Sequence, residues 1–463
     1  MPSIISSGIG SGLDISGIVQ QLVAAEGQPV AQRLGLKEAQ AQAKLSAFGS
    51  LKSALADFRD KLDVMKNLDK FLSRKAVSGD EEKFTASADS KAVPSSYAVE
   101  VVQLAQAQKL TSGAFADSDA VVGTGTLTLQ IGVEGVALDI NSENNTLAGI
   151  RDAINSSLDN PGVAASIVNA DSGSYLILTA DSTGAANSIR VTQSGGDGGL
   201  AALEYDPPAT AALTESIAAQ DGLIRIDSFD VHSDSNTFAG AVQGVTITAL
   251  EGTTGGTESL SVENDQDAVR DLVGDFVASY NALIDTFDQL TDYDPDGGTA
   301  APLLGDATVR GIRDQIRREL SVAVDDISGP FTALSDVGIE IQLDGKLQVN
   351  DEGLSAVLGS DFSQFGQLFA NSDGFAVRLH SLADGFLETG GILEARTQGL
   401  EVTIEGITEQ GVALNERLAS LEARLLRQFN ALDSLLGQLS TTSNFLSSQL
   451  NNLPGFTPPG ANG

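Results

Sequence analysis

The chain has 463 residues, 41% of them hydrophobic, enough for a sizeable core and for about three domains. It carries 62 Asp and Glu against 27 Lys and Arg, a formal net charge of -35. Phosphate backbones and anionic lipid surfaces would repel such a chain, so neither nucleic-acid binding nor membrane insertion is expected. With no cysteine there is no disulfide, thiolate metal site or cysteine nucleophile, and with no Trp the cores must be built from Leu, Ile, Val and Ala.

The opening stretch Met1 to Gly8 lacks a basic segment, an apolar segment and a small-residue cleavage site, so it does not read as a cleaved secretory signal. Asp14 is placed to cap a helix whose apolar face is Ile15, Ile18, Val19, Leu22 and Val23. Gly27-Gln28-Pro29 is expected to break or kink it. A second helix is expected from about Pro29 to Leu72. Its heptad seam is Phe48, Leu51, Leu55, Phe58, Leu62 and Met65, with Leu72 one heptad later and Asp69 as an interruption.

From Ala76 to about Ser261 the period becomes strand-like, with many turn residues. Strands are expected at Tyr97 to Val102, Thr126 to Ile131, Val136 to Ile140, Val163 to Val168, Tyr175 to Thr179 and Ser188 to Thr192. Thr146 to Ile154 reads as a capped amphipathic helix among them. Ser194 to Ser216, rich in Gly, Ala and Pro, reads as a linker or mobile loop before strands at Leu223 to Ile226 and Val245 to Leu250.

Helix returns at Asp267 to Leu290 and at Val309 to Val322. Asp344-Gly345 marks a hairpin between Ile339 to Ile341 and Lys346 to Val349. From about Leu400 to Leu450 a second heptad seam appears: Leu414, Leu418, Leu421, Leu425, Leu432, Leu435, Leu439 and Leu446. Gln428 and Thr442 fill its two polar positions, and Leu426, Phe429 and Leu436 widen the stripe, which points to several neighbours. Pro454, Pro458 and Pro459 end the helix, and the tail to Gly463 reads as disordered.

Two seams at opposite ends of one chain need partners, and the economical arrangement pairs them with each other and with other copies. The fold class expected is α+β and multidomain: terminal helices forming a coiled coil or bundle, with β-rich head domains inserted between them. The expected boundaries are a leg (1–45 and 400–463), a helical bundle (46–78 and 267–399), a β-rich head (79–105 and 222–266) and an inserted α+β head (106–221, with its central module at about 125–192).

Signs of catalysis are thin. The two histidines, His232 and His380, fall in different expected domains, and no Gly-x-Ser-x-Gly elbow is present. Gly8-Ile9-Gly10-Ser11-Gly12 lacks phosphate-loop spacing and follows no strand, so it reads as an arm. Asp292-Tyr293-Asp294-Pro295-Asp296-Gly297 begins like a calcium loop, but its twelfth position is Leu303 where a bidentate Glu belongs, so it reads as an acidic turn. No catalytic, cofactor or metal residue is assigned, and no enzyme activity is expected.

The order of several segments resembles the bacterial flagellar filament cap family, also called hook-associated protein 2. Gly10 to Leu22 resembles the family's opening motif, Tyr97 to Gln108 its first return strand, and Gly125 to about Thr192 a module shared among flagellar axial proteins. Asp221 to Leu250, Phe276 to Ile284, Leu304-Gly305-Asp306 and Asp336 to Ile339 resemble later family segments. The resemblance implies a coiled leg meeting the hook or filament end, a helical domain above it and two heads. It also implies a cap of five or six copies at the flagellar tip that holds exported flagellin and guides its incorporation and folding. Further implied partners are the hook–filament junction proteins and an export chaperone, with export by the flagellar type III apparatus. Some members of the family also adhere to host surfaces, so the alternative is an adhesin binding mucin or glycans through the heads. For the leg, the Gly27–Pro29 break with Gln428 and Thr442 would give adaptable packing.

Overall fold

A computed structural model describes residues 12–253, 255–295, 297–325 and 329–451. The expected stop at Pro454, Pro458 and Pro459, the glycine arm up to Ser11, and Asp296 of the acidic turn lie outside the described residues. Helices in chain order are α1 (Ile15–Met65), α2 (Leu68–Phe71), α3 (Leu147–Ser156), α4 (Gln266–Thr291), α5 (Ala307–Ser321), α6 (Asp351–Ser360), α7 (Phe362–Phe365), α8 (Gln367–Ala370), α9 (Phe375–Leu387) and α10 (Ile392–Asn451). The chain divides into two compact units. One comprises residues up to Lys66, Val273–Leu354 and the chain from Gln367 on; the other comprises Asn67–Leu272 and Ser355–Gly366.

The first unit is helical. Asp14 caps α1 by accepting a hydrogen bond from Gly17 N at 2.9 Å. The expected break at Gly27–Pro29 does not occur: α1 runs unbroken through Pro29 for 51 residues. A helical proline removes one backbone donor and crowds the preceding turn, a cost of about 3 kcal/mol. Buried Gly27 and Leu34 flank that position, and packing offsets the loss. The helix stops at Met65 rather than reaching Leu72. Past it, the Asn67 side chain accepts from Asp69 N at 3.0 Å and starts the short α2, whose buried residue is Phe71.

An aromatic cluster fills the helical core. Phe58 lies 6.1 Å from Phe276 and 5.9 Å from Tyr280, ring centre to ring centre, and Phe276 meets Phe369 edge-on at 6.0 Å. Asn281 fastens the hairpin of Ile339–Ile341 and Leu347–Val349 to α4: its Nδ2 donates to Leu347 O and its Oδ1 accepts from Leu347 N, each at 2.8 Å. The Tyr280 hydroxyl adds a bond to Gly345 O at 3.0 Å.

The second unit holds two β-rich cores. In the first, the chain goes out and comes back antiparallel three times. Arg74 pairs with Asn264, Phe84 with Ala249, and Val99 with Ile226. The five-stranded sheet has the order 74–78, 258–264, 95–103, 222–226, 229–233, and a three-stranded sheet joins 237–242, 245–249 and 84–88. Phe84, Val99, Ile224, Phe238, Ile247 and Leu260 form the core between them.

Everything between the outgoing strand 95–103 and the returning strand 222–226 folds as an insert. It has a five-stranded sheet (210–211, 205–206, 189–194, 125–131, 134–140) and a four-stranded sheet (214–217, 109–111, 173–180, 163–170). Helix α3 packs with them, capped by Thr146, whose hydroxyl accepts from Gly149 N at 3.1 Å. Gly132, at φ 57°, makes the two-residue turn between 125–131 and 134–140, a backbone that side chains disfavour.

The expected linker at Ser194–Ser216 is instead part of this fold. Leu200, Leu203 and Leu213 are at most 2% exposed, and Tyr205 sits beside them in the same core. Their wide spacing among Gly, Ala and Pro hides them from a periodicity reading. Strands at 84–88, 109–111, 229–233, 237–242 and 258–264 also lie beyond the sequence reading, being short or edge-placed with weak alternation.

Candidate assembly surface

Helices α1 and α10 pair antiparallel, with Gly27 facing Leu418 and Phe48 lying under the Arg396 guanidinium at 5.7 Å. A Cβ on Gly27 would stand 2.5 Å from Leu418 Cδ1, so glycine permits this closeness. Leu34, Ile407 and Leu414 form the buried strip between the helices, with Val30 and Leu418 at its margin. Glu26 and Arg417 add an ion pair at 2.9 Å, but both are more than half exposed, so it contributes little to stability. A groove of about 320 Å³ beside Gly27 is bordered by Gln20, Val23, Leu414, Leu418 and Glu422.

The two predicted seams lie in different surroundings. Phe48, Leu51, Leu55, Phe58, Leu62 and Met65 are at most 1% exposed, within the helical core, where Phe58 meets Phe276 and Tyr280 of α4. On α10, Leu414 is buried and Leu418, Leu421 and Leu425 are half-buried. The remaining seam residues Leu432, Leu435, Leu439 and Leu446 are 50–57% exposed. Leu436, Phe445 and Leu450 are exposed with them.

The residues of α1 that meet α10 escaped the sequence reading. Gly27, Leu34, Ala41, Phe48, Leu55 and Leu62 are all buried and fall at intervals of seven. The signal was present, but Gly27 and Ala41 occupy seam positions that an apolar count passes over. The same holds for Leu393 and Ile407, which precede Leu414 at heptad spacing on α10.

The candidate chemistry does not assemble. His380 Nε2 lies 3.3 Å from the Lys66 ammonium and 3.4 Å from an Asp63 oxygen, and burial, then Lys66, holds its pKa below the usual imidazole value. His232 lies on the edge strand 229–233 of the second unit. Leu303, the position a calcium loop would give to Glu, is 1% exposed in the core. No cluster of three or more potential metal ligands occurs among the described residues, and no described helix is long and apolar enough to cross a membrane.

Known proteins share this organisation over nearly its whole length. Residues 11–108 match the family described as flagellar hook-associated protein 2 N-terminus, and residues 219–441 match its C-terminus counterpart. The A-type flagellar hook-associated protein 2 of Pseudomonas aeruginosa is 34% identical, covering 97% of this chain and 98% of its own. Flagellar hook-associated protein 2 of Escherichia coli (strain K12) is 33% identical over 98% of this chain and 99% of its own. A crystal structure of the D1-D2-D3 domains of the flagellar cap protein FliD from Escherichia coli matches with a TM-score of 0.68 at 33% identity, covering 77% of this chain and 99% of that one. Sequence and fold agree along nearly the full chain, and the protein belongs to the flagellar hook-associated protein 2 family.

Proposed function

We infer that this chain caps the bacterial flagellar filament at its tip. The observation that carries this is the match to the flagellar cap protein in both sequence and fold. We propose further that five or six copies form the cap, that it receives flagellin, and that it meets the hook–filament junction proteins. Export is through the flagellar type III apparatus with a dedicated chaperone, and the role is structural rather than catalytic.

In this reading the paired α1 and α10 are the leg that seats on the filament end. The exposed side chains Leu432, Leu435, Leu439 and Leu446 support it. Each apolar side chain of this size gains about 1.5–3 kcal/mol when fully buried, so a partner that covers the row is favoured. The seam at Phe48 to Met65 then serves the stability of the helical core, and the seam beyond Leu425 serves contact.

Complementation tests both layers. In a strain lacking its own cap protein, the wild-type gene restores filaments, and failure to do so would sink the cap assignment. Glu at 432, 435, 439 and 446 together leaves the protein folded and exported but abolishes growth, with flagellin lost to the medium. Normal filaments from that variant would remove the leg contact while leaving the cap assignment standing. The mass of the exported protein tests the route: it should equal that of the uncleaved chain.

A further inference from the structure

Helix α5 carries four arginines, Arg310, Arg313, Arg317 and Arg318, against two acids, Asp314 and Glu319. In a chain with 62 acidic and 27 basic residues, this is a local inversion of charge. Arg310, Arg313 and Arg317 follow one another at steps of three and four, so they share one face of the helix. The acids around that face are already engaged. Asp288 binds Arg313 at 2.7 Å, Asp306 binds Arg396 at 2.6 Å, Asp285 binds Lys346 at 2.6 Å, and Glu319 lies 3.6 Å from Arg378. Exposed Arg310, Arg317 and Arg318 make no ion pair among the described residues, nor does Asp314.

One end of the stripe opens on a half-enclosed cavity of about 210 Å³. Its wall is Phe287 and Val309, its rim is Thr291, Arg310 and Arg313. Arg313 Nε is buried there without an acceptor among the described residues. An unsatisfied guanidinium N–H beside an apolar wall suits a carboxylate carried on a short aliphatic stem.

We infer that the α5 arginine stripe is an interface between copies of this chain, with an acidic face of the next copy laid along it. This deepens the proposed oligomeric cap and rests on that reading. Charge complementarity selects the occupant: the inserted head alone, residues 106–221, bears 14 Asp and Glu against 3 Lys and Arg. A second copy therefore brings a dense array of carboxylates, while two identical acidic surfaces would otherwise repel. The stripe supplies the cationic side that a self-associating chain of this charge needs.

Sedimentation velocity of the full-length protein at low and high NaCl tests this. The wild type assembles at low salt and weakens as salt rises. The double variant Arg310→Glu/Arg317→Glu, which spares the Arg313–Asp288 pair, raises the dissociation constant roughly tenfold or more. Arg310→Lys/Arg317→Lys retains most of the association. Lys75→Glu/Lys91→Glu changes the net charge equally elsewhere on the surface and leaves assembly intact. A wild type that stays monomeric would overturn the oligomeric reading itself. An assembled Arg310→Glu/Arg317→Glu variant of unchanged affinity, or a Lys75→Glu/Lys91→Glu variant weakened as much, would overturn the stripe alone. Circular dichroism confirms that each variant is folded before it is compared.

Discussion

Gly27 is the point at which the helix pair can be prised apart, and replacing it separates local helix propensity from packing. Alanine there gains about 1 kcal/mol of helix propensity over glycine. Its Cβ, however, would stand 2.5 Å from Leu418 Cδ1, more than 1 Å inside ordinary contact. Because the atom it meets is the tip of a flexible side chain, a small rotation of Leu418 relieves the overlap. Gly27→Ala should therefore stay within about 1 kcal/mol of wild type. Gly27→Leu cannot be relieved in this way. Forcing a branched side chain into this contact costs about 1–3 kcal/mol and pushes the helices apart. Few groups resist that, since the buried strip is Leu34, Ile407 and Leu414 alone. Hydrogen exchange reads the result segment by segment. Amides of 19–34 and 407–421 should exchange about tenfold faster in Gly27→Leu, equivalent to about 1.4 kcal/mol. Amides of 48–65, held by the aromatic core, should not change. Unaltered protection at 19–34, or equal loss at 48–65, would refute the view that the leg is an independently yielding part held by this close contact.

Other perturbations probe the cores. Phe58→Ala, at a site 0% exposed, should cost about 3–5 kcal/mol and show as lost protection throughout 48–65. Gln108, 2% exposed, accepts from Ile189 N and donates to Glu215, both at 2.6 Å; Gln108→Leu strands that buried amide and should cost about 1–3 kcal/mol, read by exchange at 189–194. Burial raises the Tyr280 hydroxyl pKa from 10.0 to about 12, so its contribution is complete below pH 10 and is lost as pH rises toward 12; Tyr280→Phe should remove that alkaline loss from thermal melts. His380 is shifted the opposite way, so the folded state gives up stability as pH falls below 6.5, and His380→Gln should flatten the acid side of the melting curve.

What was legible in the sequence follows the strength of the apolar signal. The Phe48 to Met65 series and the inserted heads, with strands such as 125–131, read correctly because large side chains mark their periods. The pairing of α1 with α10 was hidden, because close helix approach is written in small residues, Gly27 and Ala41, that carry little hydrophobicity. Local propensity misled at Pro29, where tertiary packing overrode a helix breaker, and at 194–216, where Leu200, Leu203 and Leu213 fold a breaker-rich segment into a core. The exposure of Leu432 to Leu446 could not be read from spacing, since a heptad states that a partner is needed but not whether the same chain supplies it.

The continuity of α1 has a mechanical consequence. Fifty-one residues at 1.5 Å each make a rod of about 77 Å. Its front half lies against α10 and its rear half is locked among Phe276, Tyr280 and their neighbours. With no joint at Pro29, a sideways load on the free end near Ile15 acts as a torque on the aromatic core instead of being spent in a local hinge. Such a shaft makes insertion events at one end perceptible to the packing at the other.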